Sequence, residues 1–165
     1  MKTFYLVRHA KSSWEDMSLR DFDRPLNKRG LRDAPFMSKM LAGKGVKADA
    51  IVASPANRAY TTATYFAEAM GIKKKDIIKN KDIYEAYPET VMDIIEALDN
   101  EYETVLVFGH NPTFTSLANN FKEDGYLANL PTCGIVKIES KAKKWADVSV
   151  KNSELTEFHF PKQYF

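Results

Sequence analysis

Arg8 and His9 close an apolar run, Phe4-Tyr5-Leu6-Val7, and are the first strong polar pair in the chain. Two later apolar runs end the same way. DAIVA (49–53) is followed by SPANRAYTTA, and TVLVF (104–108) by GHNPTF. Ser54 reads as a helix N-cap, with Pro55 at the first helical position and Arg58 in the first turn. Asn111 reads as a second cap and Pro112 as the opening of its helix, with His110 just before them. In an open parallel sheet the C-terminal strand ends form the ligand crevice. Arg8, His9, Arg58 and His110 are therefore expected to converge there, with two helix N-termini facing the same cleft. The planar fork of arginine matches the oxygens of a phosphoryl group, so phosphate is the ligand these residues predict.

These positions need a sheet covered on both faces. Near-continuous apolar strands such as TVLVF suit that arrangement. Strands are predicted at 3–7, 49–53, 76–79, 104–108, 134–138, 145–150 and 155–160. Helices are predicted at 28–42, 56–70, 88–99 and 112–121. Ala59, Thr62, Ala63, Phe66, Ala67 and Met70 form one helical stripe, and Val91, Ile94, Ile95 and Leu98 another. Pro35 predicts a kink or a late start in the first helix. Alternating strands and helices imply an α/β fold with a mostly parallel sheet. The last strands lack intervening helices and predict an antiparallel edge. Residues 10–27 form a long candidate loop with seven charges, of the kind that carries function.

The chain of 165 residues is long enough for one domain, 1–165, with a real core. Its 24 basic and 22 acidic side chains are too balanced to indicate nucleic acid or a membrane surface. No aromatic stacking motif accompanies the basic residues. The N-terminal apolar stretch is too short for a signal peptide. The single cysteine, Cys133, excludes an internal disulfide and points to the cytoplasm. Cys133 itself reads as a packing residue, His159 as a polar-face residue, and Lys73 to Lys75 as a solvated helix end. Asn27 and Gly30 read as helix-start and turn chemistry.

LVRHAKSSW, DRPLNKRG, SPANRAYTTA and GHNP closely resemble the histidine phosphatase superfamily, and within it the SixA-type phosphohistidine phosphatases. The resemblance implies a three-layer α/β/α, phosphoglycerate-mutase-like fold, a histidine nucleophile, and neither metal nor cofactor. The nucleophile falls on His9, its arginine on Arg8, the second arginine on Arg58 and the second histidine on His110. Ala10 stands where the broader superfamily has glycine, as is common in the SixA-like branch. His9 must be neutral to attack phosphorus, whereas a protonated His110 would be the better donor, so their pKa values are expected to be pushed apart. Glu85, in IYEAYPE, matches the position of the general acid; Asp16, Asp21 and Asp23 are the loop alternatives. An imidazole leaving group can do without such an acid, which biases the expectation toward phosphohistidine in a protein. Trp14, Phe22 and Arg20 could form a docking rim, although Trp14 and Phe22 also suit anchoring the loop to the core. The expected partner is a phosphorylated protein or a small phosphate ester, met by a monomer without nucleic acid or membrane. The other classes are a small-molecule phosphomonoesterase and a phosphate-binding module without catalysis.

Overall fold

The computed structural model describes every residue, Met1–Phe165. Six strands form one sheet: β1 (Lys2–Arg8), β2 (Ala50–Ala53), β3 (Ile78–Lys79), β4 (Thr104–Gly109), β5 (Ile135–Ser140) and β6 (Ser153–His159). Their order is β3-β2-β4-β1-β5-β6. The pairs β3/β2, β2/β4 and β4/β1 are parallel, while β1/β5 and β5/β6 are antiparallel. A mostly parallel sheet with an antiparallel edge is thus what the chain builds.

Strand alternation sends successive side chains to opposite faces, and the layers follow. Tyr5 and Val7 of β1, Ile51 and Ala53 of β2, and Leu106 and Phe108 of β4 pack under α1 (Lys28–Gly43) and α2 (Asn57–Met70). Phe4 and Leu6, Ala50 and Val52, and Val105 and Val107 turn the other way. They meet α3 (Pro88–Glu96) and α4 (Thr113–Asn120), with buried Trp145 alongside. Each face therefore buries its own core, giving the α/β/α layering. No helix is long and apolar enough to cross a membrane.

Several elements depart from the sequence-based expectation. α1 starts at Lys28 and runs through Pro35, so the late start is wrong. Asn27 caps it early, its side chain accepting from the Gly30 N–H at 2.9 Å. Residues 145–150 do not form a strand: Trp145–Asp147 is a 3-10 turn, with the Trp145 amide and indole N–H held by Asn100 Oδ1 and the Tyr102 carbonyl. β3 shrinks to two residues because Lys74–Asp76 is itself a 3-10 turn. Residues 10–27 carry more structure than the absence of periodicity suggests. Ser12 pairs with Leu26, and Asp21–Asp23 forms a 3-10 turn.

Candidate active site

The C-terminal ends of β2, β4 and β1 lie side by side and are tied together by backbone bonds. The His9 N–H donates to the Gly109 carbonyl at 3.1 Å, and the Ser54 N–H to the Phe108 carbonyl at 3.0 Å. From the far side, the Cys133 N–H donates to the carbonyls of Arg8 and His9, each at 3.0 Å. Two glycines make the approach possible. A methyl group on Gly30 would overlap the Lys11 carbonyl oxygen, and one on Gly109 would meet the Phe114 ring at 2.5 Å. Without a Cβ at Gly30, α1 can lie directly against the segment that follows His9.

His9 is buried, and its Nδ1 lies 2.7 Å from the Ala10 carbonyl oxygen. A carbonyl can only accept, so in the neutral ring Nδ1 carries the hydrogen and Nε2 keeps its lone pair. The loop holding that carbonyl is fixed in turn, since the Ala10 N–H donates to Thr62 Oγ1 and the Thr62 hydroxyl donates to the Arg58 carbonyl. The His110 ring stands 5.3 Å from the His9 ring, centroid to centroid, with its Nε2 2.8 Å from Ser54 Oγ. Arg8 is anchored by an Nη1 donation to the Leu130 carbonyl at 3.0 Å. Arg58 is anchored by both terminal nitrogens to Asp21, at 2.7 Å to its carbonyl and 2.9 Å to its carboxylate.

Only three buried side-chain nitrogens or oxygens in the molecule lack a hydrogen-bond partner: Arg8 Nε, Arg58 Nε and His110 Nδ1. All three belong to this cluster. Leaving a buried polar group unpaired costs about 1–3 kcal/mol, so three around one histidine mark a place made for a polar ligand.

Electrostatics sharpen the picture and correct one expectation. Burial lowers the His9 pKa to about 3, helped by the positive charges of Arg58 and Arg8 and opposed by the Ala10 bond. Burial and the same arginines lower His110 to about 4. The two histidines are thus pushed down together rather than apart, because they share one desolvated, cation-flanked environment. At neutral pH both are uncharged; His9 meets the requirement for attack, and His110 is not a standing cation. Arg8 is itself shifted down by burial and then by the charges of Arg29 and Arg58.

Some site residues were not legible in advance. Ser54 does not cap α2: the helix begins after Ala56, and the Ser54 side chain turns to His110. Asn111 does not hold the cap position of α4, which falls on Pro112 with the helix opening at Thr113; from one residue earlier its side chain still accepts from the Thr115 N–H at 3.1 Å. Asp21 is the loop carboxylate that reaches the cluster. It also accepts from the Tyr84 hydroxyl at 2.7 Å and Arg24 Nε at 3.2 Å. Partial burial raises its pKa, but the bonds from Tyr84 and Arg58 prevail and hold it at about 2. Asp16 is tied to Ser18 and Asp23 to Arg20, both in exposed pairs. Glu85 is exposed, with a left-handed backbone of φ 58°, beside a Tyr84 ring 5.6 Å from that of His110. Phe22 packs edge-on against Tyr84, whereas Trp14 does not anchor in the core: it is 61% exposed and stacks on Arg24 at 3.5 Å. Cys133 is buried, and burial raises its thiol pKa; His159 bonds Glu157 on the antiparallel edge.

A buried imidazole with a bare nitrogen, ringed by unpartnered arginine and histidine nitrogens at parallel strand ends, defines an α/β protein that handles phosphoryl groups. Comparison with known proteins agrees. A model of the histidine phosphatase superfamily (branch 1) matches residues 4–87. An uncharacterised protein of Mycobacterium tuberculosis is 33% identical over 165 residues, covering 94% of this chain and 100% of that one. An uncharacterised chloroplastic protein of Arabidopsis thaliana is 29% identical over 86% of this chain and 68% of its own. The structure of SixA from Agrobacterium tumefaciens superposes with a TM-score of 0.81 at 28% identity, over 97% of this chain and 99% of that one. A SixA protein complexed with tungstate shares the fold at 19% identity and a TM-score of 0.82, over 98% of each chain. The chain belongs to the histidine phosphatase superfamily, in its SixA-type branch, and is a phosphatase.

Proposed function

We propose that the protein is a metal-independent phosphohistidine phosphatase in which His9 carries the phosphoryl group and the substrate is phosphohistidine in a protein. The observation that supports this most strongly is the trio of unpartnered buried nitrogens beside a histidine whose Nε2 lone pair is free. In the first step Nε2 of His9 attacks phosphorus, and the bond from phosphorus to the leaving imidazole nitrogen breaks. The electron pair of that bond stays on the leaving ring, which departs neutral because its other nitrogen already bears a proton. In the second step water attacks phosphorus, the bond to His9 breaks, and orthophosphate leaves with the water's protons shared between phosphate and solvent. Splitting one displacement into two lowers each barrier. Arg8, Arg58 and His110 receive the charge that spreads over the phosphoryl oxygens in the transition state. A phosphoryl dianion also opposes the factors that keep His110 neutral, so substrate itself draws a proton onto that ring.

The leaving group favours a P–N substrate. Asp21, held at about 2, is ionised at neutral pH and cannot act as an acid. Glu85 is exposed and makes no hydrogen bond. An alkoxide leaving group needs a proton donor, whereas a protonated imidazole does not. Metal independence is supported by the arginines that stand beside the imidazoles, whose charge disfavours a divalent cation there. We take residues 1–165 to act as one domain, monomeric and cytoplasmic.

One observation favours a second reading, hydrolysis of a small phosphate ester. Glu85, which follows Tyr84 at the edge of the site, is kept in a strained left-handed conformation of the kind that clusters at functional sites. Phosphohistidine protein and p-nitrophenyl phosphate, each assayed without added metal, separate the two. Fast loss of phosphohistidine with slow ester release, both abolished by His9→Ala, supports the proposal. Comparable ester turnover that Glu85→Gln cripples supports the alternative and refutes the proposal.

A further inference from the structure

Residues 130–134 form a wall with the phosphoryl site on one side. Leu130 holds Arg8, and Cys133 holds the carbonyls of Arg8 and His9. The same segment, through Thr132, borders a recess of about 100 Å³ that is also lined by Arg29, Arg32, Asp33, Pro161 and Lys162. Arg29 donates to Thr132 Oγ1 at 3.1 Å, which fixes its guanidinium against the wall. Arg32 is pinned between the Asp33 carboxylate, at 2.8 Å, and the face of Phe165, at 4.0 Å. Asp33 is buried, its side chain 1% exposed, and is the recess's single carboxylate against three cations. Arg29 reaches it only at 3.9 Å, and Lys162 makes no ion pair. An excess of two positive charges therefore faces a cleft with room for one carboxylate-sized group. The charge of Arg29 also bears on Arg8, so the recess and the phosphoryl site are electrostatic neighbours.

We propose that this recess is a second anion subsite, which takes an acidic side chain flanking the phosphohistidine of a protein substrate. The proposal rests on the phosphohistidine reading above and adds how such a substrate is chosen. Its rigid, part-neutralised arginines suit a carboxylate arriving with a larger partner: the ligand completes a charge balance that Asp33 only begins.

The test compares the wild type with Arg29→Gln/Lys162→Gln on three substrates: phosphoramidate, a phosphohistidine peptide with glutamate on both flanks, and the same peptide with glutamine. Arg32 is left in place, because removing it would strand the buried Asp33 charge; a thermal melt confirms that the variant is folded. We expect the wild type to show about a fivefold lower KM for the glutamate-flanked peptide than for the glutamine-flanked one, and the variant to lose that preference, as two partly exposed charge contacts dictate. Its kcat, and its KM for phosphoramidate, should stay within about twofold. No flank preference in the wild type, or one that survives in the variant, overturns the subsite. Failure to turn over either peptide while phosphoramidate is cleaved refutes the protein-substrate reading as well. The two failures are told apart by whether the glutamine peptide reacts.

Discussion

Asp21 illustrates how one residue can be read for the wrong chemistry. By type and loop position it is a candidate acid, yet the Tyr84 hydroxyl and the Arg58 guanidinium both bond its Oδ2 and hold it ionised. Its action passes through Arg58, whose rotation it fixes while leaving Nε unpartnered. Asp21→Asn should lower kcat/KM about tenfold, the cost of a misoriented clamp. In an Arg58→Ala background the same substitution should cost less than about twofold; a double-mutant cycle on phosphohistidine substrate reads the difference, and equal losses in both backgrounds would restore a role for Asp21 as an acid. Ser54→Ala should cost about tenfold in kcat, since it removes one hydrogen bond that orients His110. Steady-state kinetics on the same substrate would measure it, and an unchanged kcat would release Ser54 from the site.

At the scale of elements, the glycine of DRPLNKRG sets the distance between α1 and the segment after His9. Gly30→Ala forces a methyl group against the Lys11 carbonyl; we expect a loss of about 2–3 kcal/mol in urea denaturation, as for an overpacked core. Stability within about 0.5 kcal/mol of wild type would show that the helix shifts freely. The strand ends were readable beforehand because Arg8, His9, Arg58 and His110 lie at boundaries where apolar runs stop, a local signal. Long-range partners carry no such mark. The sequence separation of 37 from Asp21 to Arg58, or of 56 from Ser54 to His110, is closed only by the fold. Residues 10–27 looked like unstructured loop because their order comes from polar bonds, Arg24 to Ser12, Ser13 and Asp21, which leave no hydrophobic period. Residues 145–150 failed oppositely: Trp145 and Val148 are buried, but from a turn rather than from a ladder.

For the whole molecule, the site's need for neutral imidazoles has a cost in stability at low pH. His9 and His110 fall from 6.5 to about 3 and about 4 on folding. Between those limits the unfolded chain binds more protons, so stability is complete above pH 6.5 and declines as the pH drops toward 3. Asp21 acts in a lower window, losing its contribution between 3.8 and about 2. Urea midpoints at pH 4.5 and 7 should differ clearly in the wild type and less in His9→Asn/His110→Asn; equal shifts would contradict the lowered values. In kinetics, kcat/KM reports the free enzyme, so its acid limb should lie near those lowered values rather than at the ordinary imidazole value. The central claim, that His9 carries the phosphoryl group, is tested most directly by rapid-quench single turnover with phosphoramidate in metal-free buffer, followed by mapping of the labelled site. The account predicts an acid-labile, alkali-stable phosphate on His9 that forms and decays at rates consistent with kcat and is absent from His9→Ala. Turnover with no phosphate on His9, or activity surviving in His9→Ala, would contradict it.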